Sequence, residues 1–415
     1  MQRRWRLHRG RRRRPPLYLL TSGASALERG RRLAEALAGA WRAPAPPWQP
    51  SPAELSVAVP LLLAAGCGAL GWWRLRAGSG LTPPPDGPAE PLHAAYRMHA
   101  LQGAIHEQQI SRVVPVLREA GVEPLLVKGW AATPLYPEPG LRPYGDIDLL
   151  VRPEQHTVAR EALVAGAPAP VDLHCGLADL DDHELEDVFA RSRLVSLRDV
   201  DVRVPSAEDH LRLLCLHALR HGVSRALWLC DIAAALESRP PAFDWDRLLA
   251  GNPRRSEAVV AALGLARAVL GAEPGTTPVA VRAERLPRWL VPATLRQWGK
   301  GSGLREPMGS FLRHPRGALT ELRKHWPNPI EGTMGVGAPW NAWPRLPFQV
   351  THVLVRAARF ARGLPVFLYP AAPRDSSSKR QPSSSRCSRL WARGAPAPGS
   401  PGTNLNCPRS HARKA

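Results

Sequence analysis

Nothing in this 415-residue chain matches GxxxxGK[ST], so an ordinary P-loop ATPase is excluded, and no HExxH zinc pair is present. Its six cysteines, at 67, 175, 215, 230, 387 and 407, form no CxxC pair and keep no regular spacing. That argues against a zinc ribbon or a disulfide framework and suits reduced thiols in a cytoplasm. Internal repeats are absent. The basic start, MQRRWRLHRGRRRRPPLYLL, has only a very short apolar run and no convincing small-residue cleavage site, so no secretory signal is read. Uncharged stretches approach bilayer length at residues 55–73, LSVAVPLLLAAGCGALGWW, where Pro60 and three glycines interrupt the run. A helix in a small helical region is the expectation there, with a membrane span as the competing reading.

Acidic charge is scarce overall, and the formal charge of +21 invites a nucleic-acid reading until it is divided along the chain. Residues 1–50 carry +10 and 273–415 carry +17, whereas 51–92 carry −1 and 93–272 carry −5. The basicity belongs to the ends, where it implies nonspecific polyanion contacts, and it says little about the acidic centre.

The pattern of elements predicts an α+β fold: a small mixed sheet flanked by N- and C-terminal helical regions, with disordered basic ends. Residues 1–50 read as basic, Pro-rich and mostly disordered apart from a short helix within 24–40. Residues 51–92 read as a helical region and linker, 93–204 as the core, 205–369 as a second helical region, and 370–415 as a disordered tail. Helical spacing runs from Leu92 to a glycine C-cap at Gly121. Then follow a strand at EPLLVKG, a helix start at GWAATPLY, a turn at PEPGLRPYG, and strands at DIDLLV and APVDLH. Ser206 with an acidic first turn marks the start of another helix.

The centre of interest is KGWAATPLYPEPGLRPYGDIDLLVR, residues 128–152. Asp146 and Asp148 stand two apart, so a strand presents both carboxylates on one face, where they repel each other: either that face is open to water or a cation lies between them. With Asp172 on a later strand, three acids suit a Mg²⁺ or Mn²⁺ site for phosphoryl transfer, in which hard oxygen ligands hold the ion beside substrate phosphates. Gly129, where a strand turns into a helix, lets a phosphate approach the backbone, and Lys128 and Arg142 offer positive charge nearby.

These residues resemble the nucleotidyltransferase superfamily of DNA polymerase β, whose active-site strand carries a D-x-D pair with a third acid on a later strand. LLVKGWAATPLYPEPGLRPYGDIDLLV, VDLH and LRLLCLHALRHGVSRALWLCDIAAAL, in that order, are similar to a largely uncharacterised bacterial nucleotidyltransferase family with Lys-Gly in place of the usual Gly-Ser turn. The likeness runs from about 53 to 369 and includes HWPNPI at 325–330. It implies Asp146 and Asp148 as metal ligands, Asp172 as third carboxylate, Lys128 and Gly129 beside the triphosphate, and a reaction between an NTP and a hydroxyl-bearing acceptor, whether small molecule, protein or RNA. Asp231 belongs to the family pattern without an assigned role. Family members usually have a longer segment before VDLH. Its shortening here leaves a catalytically degenerate nucleotide- or partner-binding protein as the alternative.

Other polar residues have plainer expectations. Asp179, Asp181 and Asp182 read as a solvated turn. His210, His217 and His221 share helical spacing, and His217 with His221 has the i, i+4 geometry of a zinc pair, yet interior or cleft histidines are the expectation. His174 is expected on the face opposite Asp172, in a structural role, and Asp231 is expected to cap or pair with the histidine face.

Overall fold

The computed structural model describes residues 24–79, 87–166, 171–275, 277–301 and 325–368. The predicted tail at 370–415, residues 1–23 of the Arg-rich start and residues 80–86 lie outside the described residues. The helix expected within 24–40 is α1 (Ala26–Leu37), capped by Ser25. The run at 55–73 folds as two helices, α2 (Pro52–Ala64) and α3 (Gly68–Ser79), parted at Gly66, whose φ of 73° suits glycine. Pro60 lies inside α2. Among the described residues no helix is long and apolar enough to cross a membrane.

Helix α4 (Glu90–Glu119) ends as expected, with Gly121 left-handed and its amide donating to the Arg118 carbonyl. Strands β1 (Leu125–Leu126), β2 (Ile147–Leu150), β3 (Val171–His174), β4 (Arg193–Leu197) and β5 (Val200–Val204) form one mixed sheet in the order β3-β2-β1-β5-β4. β2 runs antiparallel to β1 and parallel to β3, and β5 lies parallel to β1 and antiparallel to β4. Between β1 and β2 the expected helix is a single stretch of 3₁₀ helix, Trp130–Leu135, with Pro134 inside it. α5 (His156–Gly166) connects β2 to β3, and α6 (Leu185–Ala190) precedes the hairpin β4-β5.

Period-2 alternation sorts the sheet into two faces. Ile147 and Leu149 of β2 and Val171 and Leu173 of β3 pack with Ile110, Val113, Val114 and Leu117 of α4 and with Ala159 of α5. Leu150 of β2 turns to the other face, against Leu177, Leu180, Val188, Phe189 and Leu213. Asp148, two residues before Leu150, therefore stands on the face that Leu213 helps to cover.

Leu213 belongs to α7 (Ala207–Arg220), whose Ser206 cap accepts from the Asp209 amide as the sequence predicts. α8 (Ala226–Glu237), α9 (Trp245–Leu249), α10 (Pro253–Leu270), α11 (Ala280–Glu284), α12 (Leu290–Gly299), α13 (Pro329–Gly335) and α14 (Leu346–Leu368) complete the order. One core joins Leu33 and Leu37 of α1, Leu62 of α2, Leu216 of α7, Ile232 of α8, Leu263 of α10 and Trp298 of α12. The N-terminal and C-terminal helical regions thus share buried surface. Gly299 of α12 and Ala26 of α1 approach so closely that a Cβ on Gly299 would collide with the Ala26 carbonyl. In HWPNPI, Asn328 caps α13 and donates its side-chain amide to the Gly222 carbonyl, tying α13 to the end of α7. Cys67, Cys215 and Cys230 are free and buried.

Candidate active site

The parallel pairing of β2 with β3 sets Asp148 opposite Asp172 and Leu150 opposite His174. Side chains in register on adjacent strands share a face, so the two carboxylates meet without any help from loops. His174 closes the group. Its Nε2 lies 3.0 Å from Asp148 Oδ1 and 3.4 Å from Asp172 Oδ2. The expected placement of His174 on the opposite face is therefore corrected: residues 172 and 174 are two apart on one strand, and period 2 puts them together. That spacing was the available signal for this residue.

Lys128 faces the same acids, its Nζ 3.3 Å from Asp148 Oδ1. The residue has a φ of 50°, an uncommon left-handed conformation for a lysine, just after the end of β1. Gly129 follows, and a Cβ there would stand 3.3 Å from the Asp146 carbonyl oxygen and 3.6 Å from Asp148 Oδ2. That close approach accounts for glycine here.

Asp146 sits just before β2, exposed at the lip. The surrounding protein, and next the charge of Asp148, raise its carboxyl above the ordinary range. Asp172 is raised as well, chiefly by burial. Burial also pushes Asp148 upward, but the hydrogen bond from His174 and the charge of Lys128 outweigh it and hold this carboxyl low.

Arg142 does not project into the cleft. Its guanidinium is buried, donating to both oxygens of Asp231 at 3.2 and 2.9 Å and to the Gly129 carbonyl at 2.9 Å. Tyr136 donates its hydroxyl to Asp231 Oδ1 at 2.7 Å. Asp231 thus pairs with the loop that carries Gly129, where pairing with the histidine face was expected. The solvated turn at 179–182 is also corrected. Asp179 is buried and accepts from Arg220 at 2.8 Å, and Asp182 accepts from Arg212 at 2.6 Å and from the Asn252 amide at 2.9 Å. Only Asp181 is exposed, beside Arg255. The loop after β3 runs past α7 and the start of α10, and those elements supply the cations.

A family model described as uncharacterised nucleotidyltransferase matches residues 61–167 and 167–271, about half of the 415 residues. The chain belongs to that family. No curated protein and no solved structure matches it. The two matched stretches meet at 167, between α5 and β3, where the sequence reads as shortened.

The residues here fit a divalent cation. Asp148, Asp172 and His174 each offer a ligand atom, all within 4.8 Å of one another, and among the described residues they make the only such group. Asp172 Oδ1 is buried with no hydrogen-bond partner. A buried carboxylate oxygen left in that state is costly unless something electropositive reaches it. Asp146 stands outside the group of three.

Proposed function

We propose that this chain transfers a nucleoside monophosphate from an NTP to a hydroxyl-bearing acceptor, with pyrophosphate leaving. The observation that carries the reading is the register pairing of Asp148 with Asp172, closed by His174, with Asp172 Oδ1 buried and unpartnered. Mg²⁺ or Mn²⁺ held by Asp148 and Asp172, with His174 or Asp146 beside them, would supply neutralisation of triphosphate charge. An imidazole nitrogen in the donor set suits Mn²⁺ better than Mg²⁺.

The chain's own residues do the rest. Lys128, already beside Asp148, neutralises a phosphate oxygen as a point charge, and Gly129 leaves room for it. Asp172, whose carboxyl is raised by burial, would share the ion or take the proton of the acceptor hydroxyl. Arg142 is a positioning residue: it holds the Gly129 carbonyl and is itself held by Asp231.

The test incubates purified protein with labelled NTPs, Mg²⁺ or Mn²⁺ and a cell-extract acceptor pool, following label transfer and pyrophosphate release. The Asp146→Asn, Asp148→Asn double variant is expected to lose metal-dependent transfer while keeping its fold. Equal signal from wild type and variant would reject the reading.

One observation favours a second reading. Residues 167–170 alone separate Gly166 of α5 from Val171 of β3, at the break in the family match. On that reading the fold binds nucleotide without turning it over. Metal-dependent NTP binding with no transfer to any acceptor would select it.

A further inference from the structure

A cluster of rings stands on α7 and α8, outside the acids and their lysine. His217 and His221 lie with ring centroids 4.6 Å apart, and Trp228 meets them at 5.0 and 5.5 Å. The guanidinium of Arg225 lies 5.5 Å from the centroid of Trp228. Trp228 and His217 are half-buried, whereas His221 and Arg225 are exposed. Trp228 packs in part against the main helical core and is only half-buried, so part of the cluster stays accessible.

We propose that the base of the nucleotide stacks on Trp228 as its platform, bordered by His217 and His221, whose rings cross it at 78° and 50°, with Arg225 at its edge. This rests on the nucleotidyltransferase reading and names the subsite that reading lacks.

Three links aim the platform at the acids. Leu150, on the Asp148 face of β2, packs with Leu213 of α7, and His217 follows Leu213 by one helical turn. The buried pair of Asp231 with Arg142, and through it the Gly129 carbonyl, ties α8 to the loop carrying Lys128. Trp228 lies three residues before Asp231 on that helix, hence on an adjacent part of its surface. The charge of Lys128 reaches both Asp179, which holds Arg220 of α7, and His221, and that of Arg225 reaches Asp146. Stacking on rings tolerates any base, because each base has a π face, and a guanidinium adds attraction to the ring and to nearby phosphate.

The experiment compares equilibrium binding of ATP, UTP and inorganic tripolyphosphate to the full chain with Mn²⁺. Tripolyphosphate carries the charges without base or sugar. Trp228→Leu is expected to weaken ATP and UTP by about tenfold or more and to leave tripolyphosphate unchanged, whereas Trp228→Phe keeps NTP affinity within about threefold. If loss of the indole unfolds the chain, His221→Ala at its exposed position repeats the comparison, with a smaller loss for NTPs alone. A wild type that binds NTP and tripolyphosphate, with variants that change neither or weaken both equally, overturns the platform. A wild type that binds neither overturns the nucleotide reading itself.

Discussion

Two sets of buried acids in this molecule are treated in opposite ways. Around α7 and α8, four acids each have an arginine: Asp231 has Arg142, Asp209 has Arg247 at 2.9 Å, Asp182 has Arg212 and Asp179 has Arg220. Although burial pushes upward on Asp209, Asp182 and Asp179, their hydrogen bonds and cations hold all three carboxyls low. On the sheet, Asp148 and Asp172 share one lysine and one histidine, and Asp172 is left raised with an unpartnered oxygen. Where the fold needs a cation for stability, the chain provides an arginine. Where the acids stay under-compensated, the balance of positive charge is left to come from a ligand.

The largest effect that would sharpen this contrast lies at the self-sufficient end. Arg142→Met leaves Asp231 fully buried with Tyr136 as its remaining partner. Breaking a buried pair from one side is expected to cost about 3–5 kcal/mol, read as a lower urea midpoint. The double variant Arg142→Met, Asp231→Leu should recover much of that loss, since no buried charge remains. An unchanged midpoint for Arg142→Met would break the contrast.

A smaller effect follows from His210, which is buried in α7 with its Nε2 unpartnered. Burial, aided by Arg142 and Arg193 against the opposing charge of Asp231, lowers its pKa from 6.5 to about 4. The unfolded chain therefore binds more protons between those values. Stability is expected to be full above about pH 6.5 and to fall by roughly 3 kcal/mol as pH drops toward 4. His210→Phe should make that slope shallower in unfolding curves taken across the range. An unchanged slope would show that His210 titrates freely in the folded state.

How far the sequence revealed these regions depends on whether the signal was local. The facing of Asp148 and Asp172 was legible because period 2 and a short strand fix which side chains share a face, whereas Asp146, expected beside them as a ligand, lies just before β2 and outside the group. The Ser206 cap and Gly121 were legible because caps depend on a few adjacent residues. The hairpin β4-β5 escaped, since its two-residue turn is Arg198-Asp199, with Arg198 at a φ of 55° where glycine or asparagine would have announced it. The arginine partners of Asp231 and Asp182 also escaped: Arg142 lies 89 residues from Asp231, and Arg212 lies 30 from Asp182. Only the folded packing of α7 and α8 against the sheet brings them together. At Trp130–Leu135 the expected helix start is a 3₁₀ stretch, where Pro134 has no amide to donate to a continuing helix.

The smallest effect tests the under-compensated end, and its sign separates the two sets of acids. A carboxyl whose folded pKa is raised stabilises the fold when protonated and loses that contribution as pH rises through the folded value, so ionised Asp172 works against folding at neutral pH. Asp172→Asn keeps the shape and removes the charge beside Asp148. In EDTA the variant should be at least as stable as wild type, by up to about 1 kcal/mol in urea unfolding. With Mn²⁺ added, wild type should gain stability according to its affinity for the ion, and the variant should gain little, because one of the two carboxylate ligands is now neutral. The order of the two proteins should therefore reverse between EDTA and saturating Mn²⁺. A variant less stable than wild type in both conditions would mean that Asp172 serves the fold as the arginine-paired acids do, and the distinction between the two regions would be lost.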